Sequence, residues 1–272
     1  MSKVGIVQMT SGAEPDENIK QLKLKLKGLQ LQGAKLVLTP ENCIVFGQKN
    51  DYERYAEPVG KGVLQDQLSA LARHYQLWLV IGSFPTRNEN GSLSTTSLVF
   101  DDNGHLVEHY NKLHMFDVDV EDRHQSYRES DTFTAGNDIK VVDTPIGKVG
   151  LSICYDVRFP QLYSELRKQG AEIILVPAAF TKVTGYAHWD ILLRSRAIET
   201  QCWVLAAGQW GKHGAGRETW GHSMIIDPWG NKVTAQQEGT GVIIADIDLE
   251  QMNQIRKKMP VAQHARLTSH LL

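Results

Sequence analysis

Cysteine is scarce in this chain: Cys43, Cys154 and Cys202 are its only three among 272 residues. They are too few and too irregularly spaced for a disulfide framework or a zinc site, so a reducing cytoplasm is the expected compartment. Excess charge of either sign is also missing. Lys and Arg total 29 against 31 Asp and Glu, a formal net charge of −2. No basic cluster therefore offers a footprint for nucleic acid or an anionic membrane surface. The stretch KLKLK from Lys23 to Lys27 reads as a solvated helix face. No apolar run is long enough to span a bilayer, and the opening MSKVGIVQMTSGAEPDE turns polar before a signal-peptide apolar region can form. Repeats, low-complexity tracts and linkers are absent too. What remains, 42% hydrophobic and 22% charged residues, is ordinary for a soluble globular protein. The economical reading is one domain over residues 1–272, its tail from about 260 packing on the domain or on a partner copy.

Strands and helices alternate along the chain. KVGIVQM reads as a strand, and the helix after it opens at Pro15 and closes near Gly33. KLVLTPE is a buried strand, GVLQDQLSALARHYQ a helix and LWLVIGSF another strand. The middle differs. TTSLVFDDNGHLVEHYNK reads as two strands around a DDNG turn, and IKVVDTPIGKVGLSIC as two more around TPIG, which makes the sheets mixed. PQLYSELRKQGA is a helix with Pro160 in its first turn and Gly170 as its stop. EIILVPAAF (strand), AHWDILLRSRAIETQ (helix) and CWVLAAG (strand) follow. GHSMIIDPWGNKV and TGVIIADID are expected to form a last hairpin, before the helix LEQMNQIRKKM and an irregular tail. Two such sheets packed face to face, with helices covering them, suit this strand count.

Three apolar runs end in chemically distinct polar residues: Glu41 after KLVLTP, Lys112 after HLVEHYN and Cys154 after KVGLSI. Side chains at the carboxyl ends of strands converge on one crevice in open α/β sheets. A thiol nucleophile, a carboxylate base and an ammonium for the oxyanion make a cysteine hydrolase set. Singly each is weak: a strand-end cysteine is usually core, and a lysine usually solvated. Period-two alternation puts Gly150, Ser152 and Cys154 on one face, which small side chains are expected to leave open for substrate. The helix start near Pro160 is expected to lower the thiol pKa.

The segments LVLTPEN, YNKLHMFD and GLSICYDVRFPQL together resemble the nitrilase (carbon–nitrogen hydrolase) superfamily over essentially the whole length. The resemblance implies an α/β fold, a four-layer αββα sandwich with two mixed sheets, and pairing into a homodimer or higher homo-oligomer across the helices flanking the cysteine. It implies no metal and no organic cofactor, and it adds Glu129, in YRESDTFTAGN, to the glutamate, lysine and cysteine. RAIETQCWVLAAGQ and GHSMIIDPWG are similar to the branch of deaminated glutathione amidases and the related ω-amidases. Trp203, where Tyr is more usual, and the loop GKHGAGRETWGH depart from that branch, and the loop bears on substrate choice.

The implied reaction is hydrolysis of a linear small-molecule amide through a thioester on Cys154. Glu41 is then the base, and Lys112 with the backbone N–H of Tyr155 holds the oxyanion. Glu129 either positions this set or satisfies a loop. Arg158, Phe180 and Thr184 are candidates to line the pocket; Arg158 reads equally as a salt bridge to Glu165, and Phe180 as core. His188, Trp189, Arg194 and Arg196 read as interface or packing groups. Cys202 reads as a core thiol, and Cys43 has no argued role. Trp210, Trp220 and Trp229 are expected in loops or turns, anchoring them or capping the pocket. A scaffold without catalysis and other amide, nitrile or ureido substrates are the competing readings.

Overall fold

The computed structural model describes residues 1–122 and 125–267, apart from the side chain of Ala215. In chain order the strands begin with β1 (Ser2–Gln8), β2 (Leu36–Leu38), β3 (Trp78–Arg87), β4 (Leu93–Phe100) and β5 (Leu106–Asn111). A short hairpin, β6 (Asp117–Asp119) and β7 (Ser126–Arg128), follows. Then come β8 (Val141–Thr144), β9 (Gly147–Leu151), β10 (Ile173–Ala178) and β11 (Trp203–Gly208). A second short hairpin pairs β12 (Trp210–Lys212) with β13 (Glu218–Trp220), and β14 (Ser223–Ile226), β15 (Lys232–Gln236) and β16 (Gly241–Ile247) complete the set.

Two six-stranded mixed sheets result, ordered β16-β1-β2-β3-β4-β5 and β15-β14-β11-β10-β9-β8. Each has three parallel strands at its centre, β1, β2 and β3 in one and β9, β10 and β11 in the other, with antiparallel flanks. Helices Pro15–Leu31 and Val63–Tyr75 cover the first sheet, and Pro160–Lys168 and Asp190–Thr200 the second. This is the expected αββα sandwich. Alternation sorts the first sheet's side chains: Val4, Ile6, Leu36 and Leu38 join the core shared with the second sheet, whereas Val7, Val37, Leu79 and Ile81 pack under the first helix layer.

Helix stops fall where a positive φ is needed. Gly33 and Gly170 have φ of 85° and 96° just past their helices, conformations that glycine adopts without a Cβ penalty. One glycine serves a different purpose. A Cβ on Gly82 in β3 would stand 2.2 Å from the Thr39 carbonyl oxygen and 2.5 Å from Pro177 Cβ in β10. Only a hydrogen at this position lets the loop after β2 press against the second sheet.

One expectation is corrected here. GHSMIIDPWGNKV closes its own hairpin, β14 with β15, while β16 leaves it and pairs with β1 in the other sheet, Ser2 opposite Ile247. Alternation identifies a strand without naming its partner. Additional to the sequence reading are the helix Lys49–Tyr55 and the hairpins β6–β7 and β12–β13. Trp210 and Trp220 lie opposite each other in β12 and β13 rather than in loops; Trp229 does sit in a turn and is exposed. The tail forms a short helix, Val261–His264, and the part of the expected tail packing that concerns residues 268–272 lies outside the described residues.

Candidate active site

Glu41 and Cys154 each stand three residues beyond a parallel strand, after Leu38 and Leu151, while Lys112 directly follows β5. Their side chains meet at the seam of the two sheets. Lys112 Nζ donates to Glu41 Oε1 at 2.9 Å and to Glu129 Oε2 and Oε1 at 2.8 and 3.0 Å. Glu41 Oε2 accepts from the Ala179 N–H at 2.8 Å, and the Cys154 thiol hydrogen-bonds to the same carboxylate. Glu129 is fixed in turn by the Phe116 N–H at 2.8 Å and the Thr95 hydroxyl at 3.2 Å. Glu41, Lys112 and Cys154 are all buried.

Burial and charge set the resting protonation. Burial pushes the Glu41 carboxyl up, but the adjacent Lys112 ammonium more than offsets this and holds it below the usual carboxylate range. Burial works against the Lys112 ammonium, yet Glu129 and Glu41 keep it well above an ordinary lysine. The Cys154 thiol is driven well above its ordinary value, first by burial and then by the Glu41 charge. The expected lowering by a helix start is therefore corrected: two carboxylates already outnumber the one ammonium here, and a resting thiolate would add a further buried negative charge. A proton moving from sulfur to Glu41 leaves the total charge of the cluster unchanged.

The backbone at Cys154 is strained. Its φ is 48°, a left-handed conformation that non-glycine residues keep only when their surroundings enforce it. Asp156 supplies that enforcement. Fully buried, it accepts from the Ile153 N–H at 2.8 Å, the Tyr110 hydroxyl at 2.8 Å and the His114 N–H at 3.1 Å, and its Oδ1 lies 2.7 Å from His114 Nδ1. His114 stacks on Phe159 at 3.6 Å. The turn is thus pinned from both ends, and the Tyr155 N–H meets no protein acceptor among the described residues. The Gly150–Ser152 face, expected to leave room for substrate, is filled. Ser152 Oγ lies 2.8 Å from the Tyr163 hydroxyl and 2.7 Å from the Leu175 carbonyl oxygen, and a Cβ on Gly150 would come within 3.1 Å of Leu166. Small residues there admit the helix Pro160–Lys168.

Room for a ligand lies on the other side, in a cavity of about 180 Å³ whose lining includes Glu41, Lys112, Glu129 and Cys154. Arg158, Phe180 and Thr184 are among its lining residues. Arg158 contacts His188 Nδ1 at 3.2 Å and lies over the rings of Phe180 and Tyr155. Phe180 is both core and wall: it is buried and packs on Trp189 at 4.7 Å. Trp189 and Arg196 are packing groups, donating to the His222 and Val157 carbonyls. No tryptophan is among the lining residues, so none caps the cavity. Asp156, Arg217 and Gln209 have no place in the sequence reading. Gln209 is buried and ties the Glu41 carbonyl to the Ser11 hydroxyl. Cys43 and Cys202 are fully buried; burial pushes Cys43 up to about 12 and raises Cys202 as well. Among the described residues no group of three or more His, Cys, Asp or Glu is placed to hold a metal ion, and no helix is long and apolar enough to cross a membrane.

Known proteins match this chain along its length. The family model for carbon–nitrogen hydrolases covers residues 3–257. A deaminated glutathione amidase of Yersinia enterocolitica is 46% identical over all of this chain and 95% of its own. Another from Dictyostelium discoideum is 37% identical over 99% of this chain and 96% of its own. Among solved structures, the C. elegans NitFhit protein superposes with a TM-score of 0.89 at 36% identity, over 97% of this chain and 65% of its own. Nit3 of Saccharomyces cerevisiae, a member of branch 10 of the nitrilase superfamily, gives 0.88 at 29% identity over 98% of this chain and 97% of its own. Fold, site residues and these matches agree: the chain belongs to the carbon–nitrogen hydrolase family, the nitrilase superfamily, in the branch of the deaminated glutathione amidases.

Proposed function

We propose that this hydrolase is a cysteine-dependent amidase that splits deaminated glutathione into 2-oxoglutarate and cysteinylglycine. The observation that carries the mechanism is the thiol of Cys154 bonded to a carboxylate, Glu41, that Lys112 holds ionised. Glu41 takes the thiol proton as sulfur attacks the amide carbonyl carbon. The carbonyl oxygen, now negative, is held by Lys112 Nζ and the Tyr155 N–H. Collapse breaks the C–N bond, and Glu41 gives the proton to the departing amine. Water enters, loses a proton to Glu41 and attacks the thioester; the C–S bond breaks, the acid leaves and sulfur recovers its proton. Glu129 is a positioning residue that, with Glu41, fixes Lys112. The names of the relatives and the guanidinium of Arg158 on the cavity wall support the substrate, whose acyl portion carries a carboxylate.

Two measurements test this reading. Intact-mass spectrometry of enzyme quenched during turnover should reveal an acyl adduct on Cys154, and a missing adduct with full turnover would remove the thioester. A substrate panel should give the highest kcat/KM with deaminated glutathione; faster cleavage of 2-oxoglutaramate would make the enzyme an ω-amidase instead. Self-association belongs to the same proposal. Tyr186, Ile191 and Ile198 are exposed on and beside the helix Asp190–Thr200, an apolar face suited to a second copy. Sedimentation at micromolar concentration should give a homodimer or larger. All three cysteines are free, which suits a reducing cytoplasm.

A further inference from the structure

Of the cations lining the cavity, the reaction scheme leaves Lys49, Arg128 and Arg217 unused, and Arg217 stands apart in how poorly it is partnered. Arg217 lies between β12 and β13, in the loop of unusual composition, and that loop is built to hold it still. His213 is buried, with Nδ1 2.8 Å from the Ser11 carbonyl oxygen and Nε2 2.7 Å from the Thr219 hydroxyl, and its ring meets Phe46 at 4.0 Å. The His213 N–H donates to the Arg217 carbonyl at 2.8 Å, closing the loop. Burial drops the His213 pKa to about 4, so this anchor stays neutral at physiological pH. The Arg217 guanidinium then lies over the Phe46 and Tyr127 rings, at 4.9 and 5.4 Å, with the cavity beside it.

Its hydrogen bonding is incomplete. The Nε–H is buried with no partner, and Nη2 reaches the Ala179 carbonyl only at 3.4 Å. Among the described residues no carboxylate forms an ion pair with Arg217. The other cations at the cavity have partners. Lys112 is held by two glutamates, Arg128 pairs with Asp119, Lys49 donates to the Asp131 carbonyl and Arg158 meets His188. A guanidinium offers five N–H donors in a planar fork matched to a carboxylate, and aromatic faces satisfy none of those in its plane. A buried N–H left unpaired costs free energy that an entering anion restores.

Position assigns the anion to one side of the scissile bond. Ala179 donates its N–H to Glu41 and accepts from Arg217 on its carbonyl, so Arg217 stands beside Glu41. In the scheme above, Glu41 protonates the departing amine. Arg158 belongs instead to the Cys154 turn and lies over Tyr155, on the acyl side. Resting on that scheme, we propose that Arg217 binds a carboxylate carried by the leaving amine, which makes the enzyme selective for amides of amino acids and peptides over primary amides.

Deaminated glutathione and its C-terminal glycinamide differ in that one charge. Wild-type enzyme should prefer the acid in kcat/KM by about 10- to 100-fold, the range of a hydrogen bond to a charged group. Arg217→Met should bring this ratio to about 1, and Arg217→Lys should keep part of it. In Arg217→Met the loss on 2-oxoglutaramate, which releases ammonia, should be at least about tenfold smaller than the loss on deaminated glutathione. A wild-type ratio near 1, or equal losses on both substrates, overturns the assignment. If the wild type ignores 2-oxoglutaramyl compounds altogether, the substrate reading fails; the same acid and glycinamide pair on an acyl group that it does cleave then decides Arg217.

Discussion

Lys112 in the floor of the cavity and two arginines of its wall, Arg158 and Arg217, present the same charge in two very different settings. Lys112 Nζ is shared between two carboxylates, with all three groups fixed by the surrounding backbone and side chains. Arg158 and Arg217 meet aromatic rings, a histidine nitrogen and a carbonyl oxygen instead. A buried charge must be balanced by something. In the floor the chain supplies the balance itself, so the floor is as much a part of the fold as the core is. In the wall, on the reading proposed above, a ligand's carboxylates complete the balance.

The sharpest way to break this comparison is at the floor's uncharged member. Cys154→Ala should lower kcat by at least about 10⁴-fold while circular dichroism and the urea midpoint stay close to wild type. A correctly folded variant that still turns over would remove the nucleophile from the scheme. Lys112→Ala should damage both functions of the floor. We expect roughly 10²–10³ lost in kcat from the oxyanion, and about 3–5 kcal/mol of stability in urea unfolding, because the buried Glu41 and the half-buried Glu129 then lose the cation between them. Arg158→Met should separate these effects. KM should rise about 10- to 100-fold through the lost carboxylate contact, with stability within about 1 kcal/mol of wild type. A large stability loss there would make the wall structural and erase the contrast.

The same contrast has a pH signature. Glu41 titrates below the ordinary carboxylate value, so its attraction to Lys112 contributes stability above the unfolded-state pKa and is lost only as pH falls through the lower folded one. Lys112 contributes in the opposite sense, fully present below its unfolded pKa and lost as pH rises through a folded value well above 10.5. With the thiol also raised, kcat/KM should be flat between about pH 6 and 9. A limb near 8.5, the mark of an ordinary cysteine, would contradict the hydrogen-bonded thiol. The smallest effect expected is for Cys202→Ala: about 1 kcal/mol of stability from a small buried cavity and unchanged kcat. Iodoacetamide should label Cys154 before Cys202, because only the former lines the cavity.

Glu41, Lys112 and Cys154 were readable because each closes an apolar run, and strand ends converge. Asp156 was not, although it sits two residues from the cysteine. Its meaning depends on Tyr110 and His114, which nothing local connects to it. Arg217 was hidden for the same reason: its loop is aimed by His213 reaching Ser11, about two hundred residues away. The β16 strand shows the limit most simply. Its alternation marked a strand, but the choice between β15 and β1 as neighbour is made by the closing of the first sheet. Local pattern specifies what an element is; long-range packing specifies where it goes.

Gly82 has a bearing on when this chain becomes chemically dangerous. Glu41 and Lys112 follow strands of the first sheet, Cys154 and Ala179 strands of the second, and Gly82 is where the Thr39 and Pro177 segments of the two sheets close up. Neither sheet alone possesses both a thiol and its base. A chain whose sheets have not docked therefore holds Cys154 apart from its base, and nucleophilic power arrives with their docking. A single methyl group at Gly82, far from any reacting atom in the sequence, would keep the safety catch on.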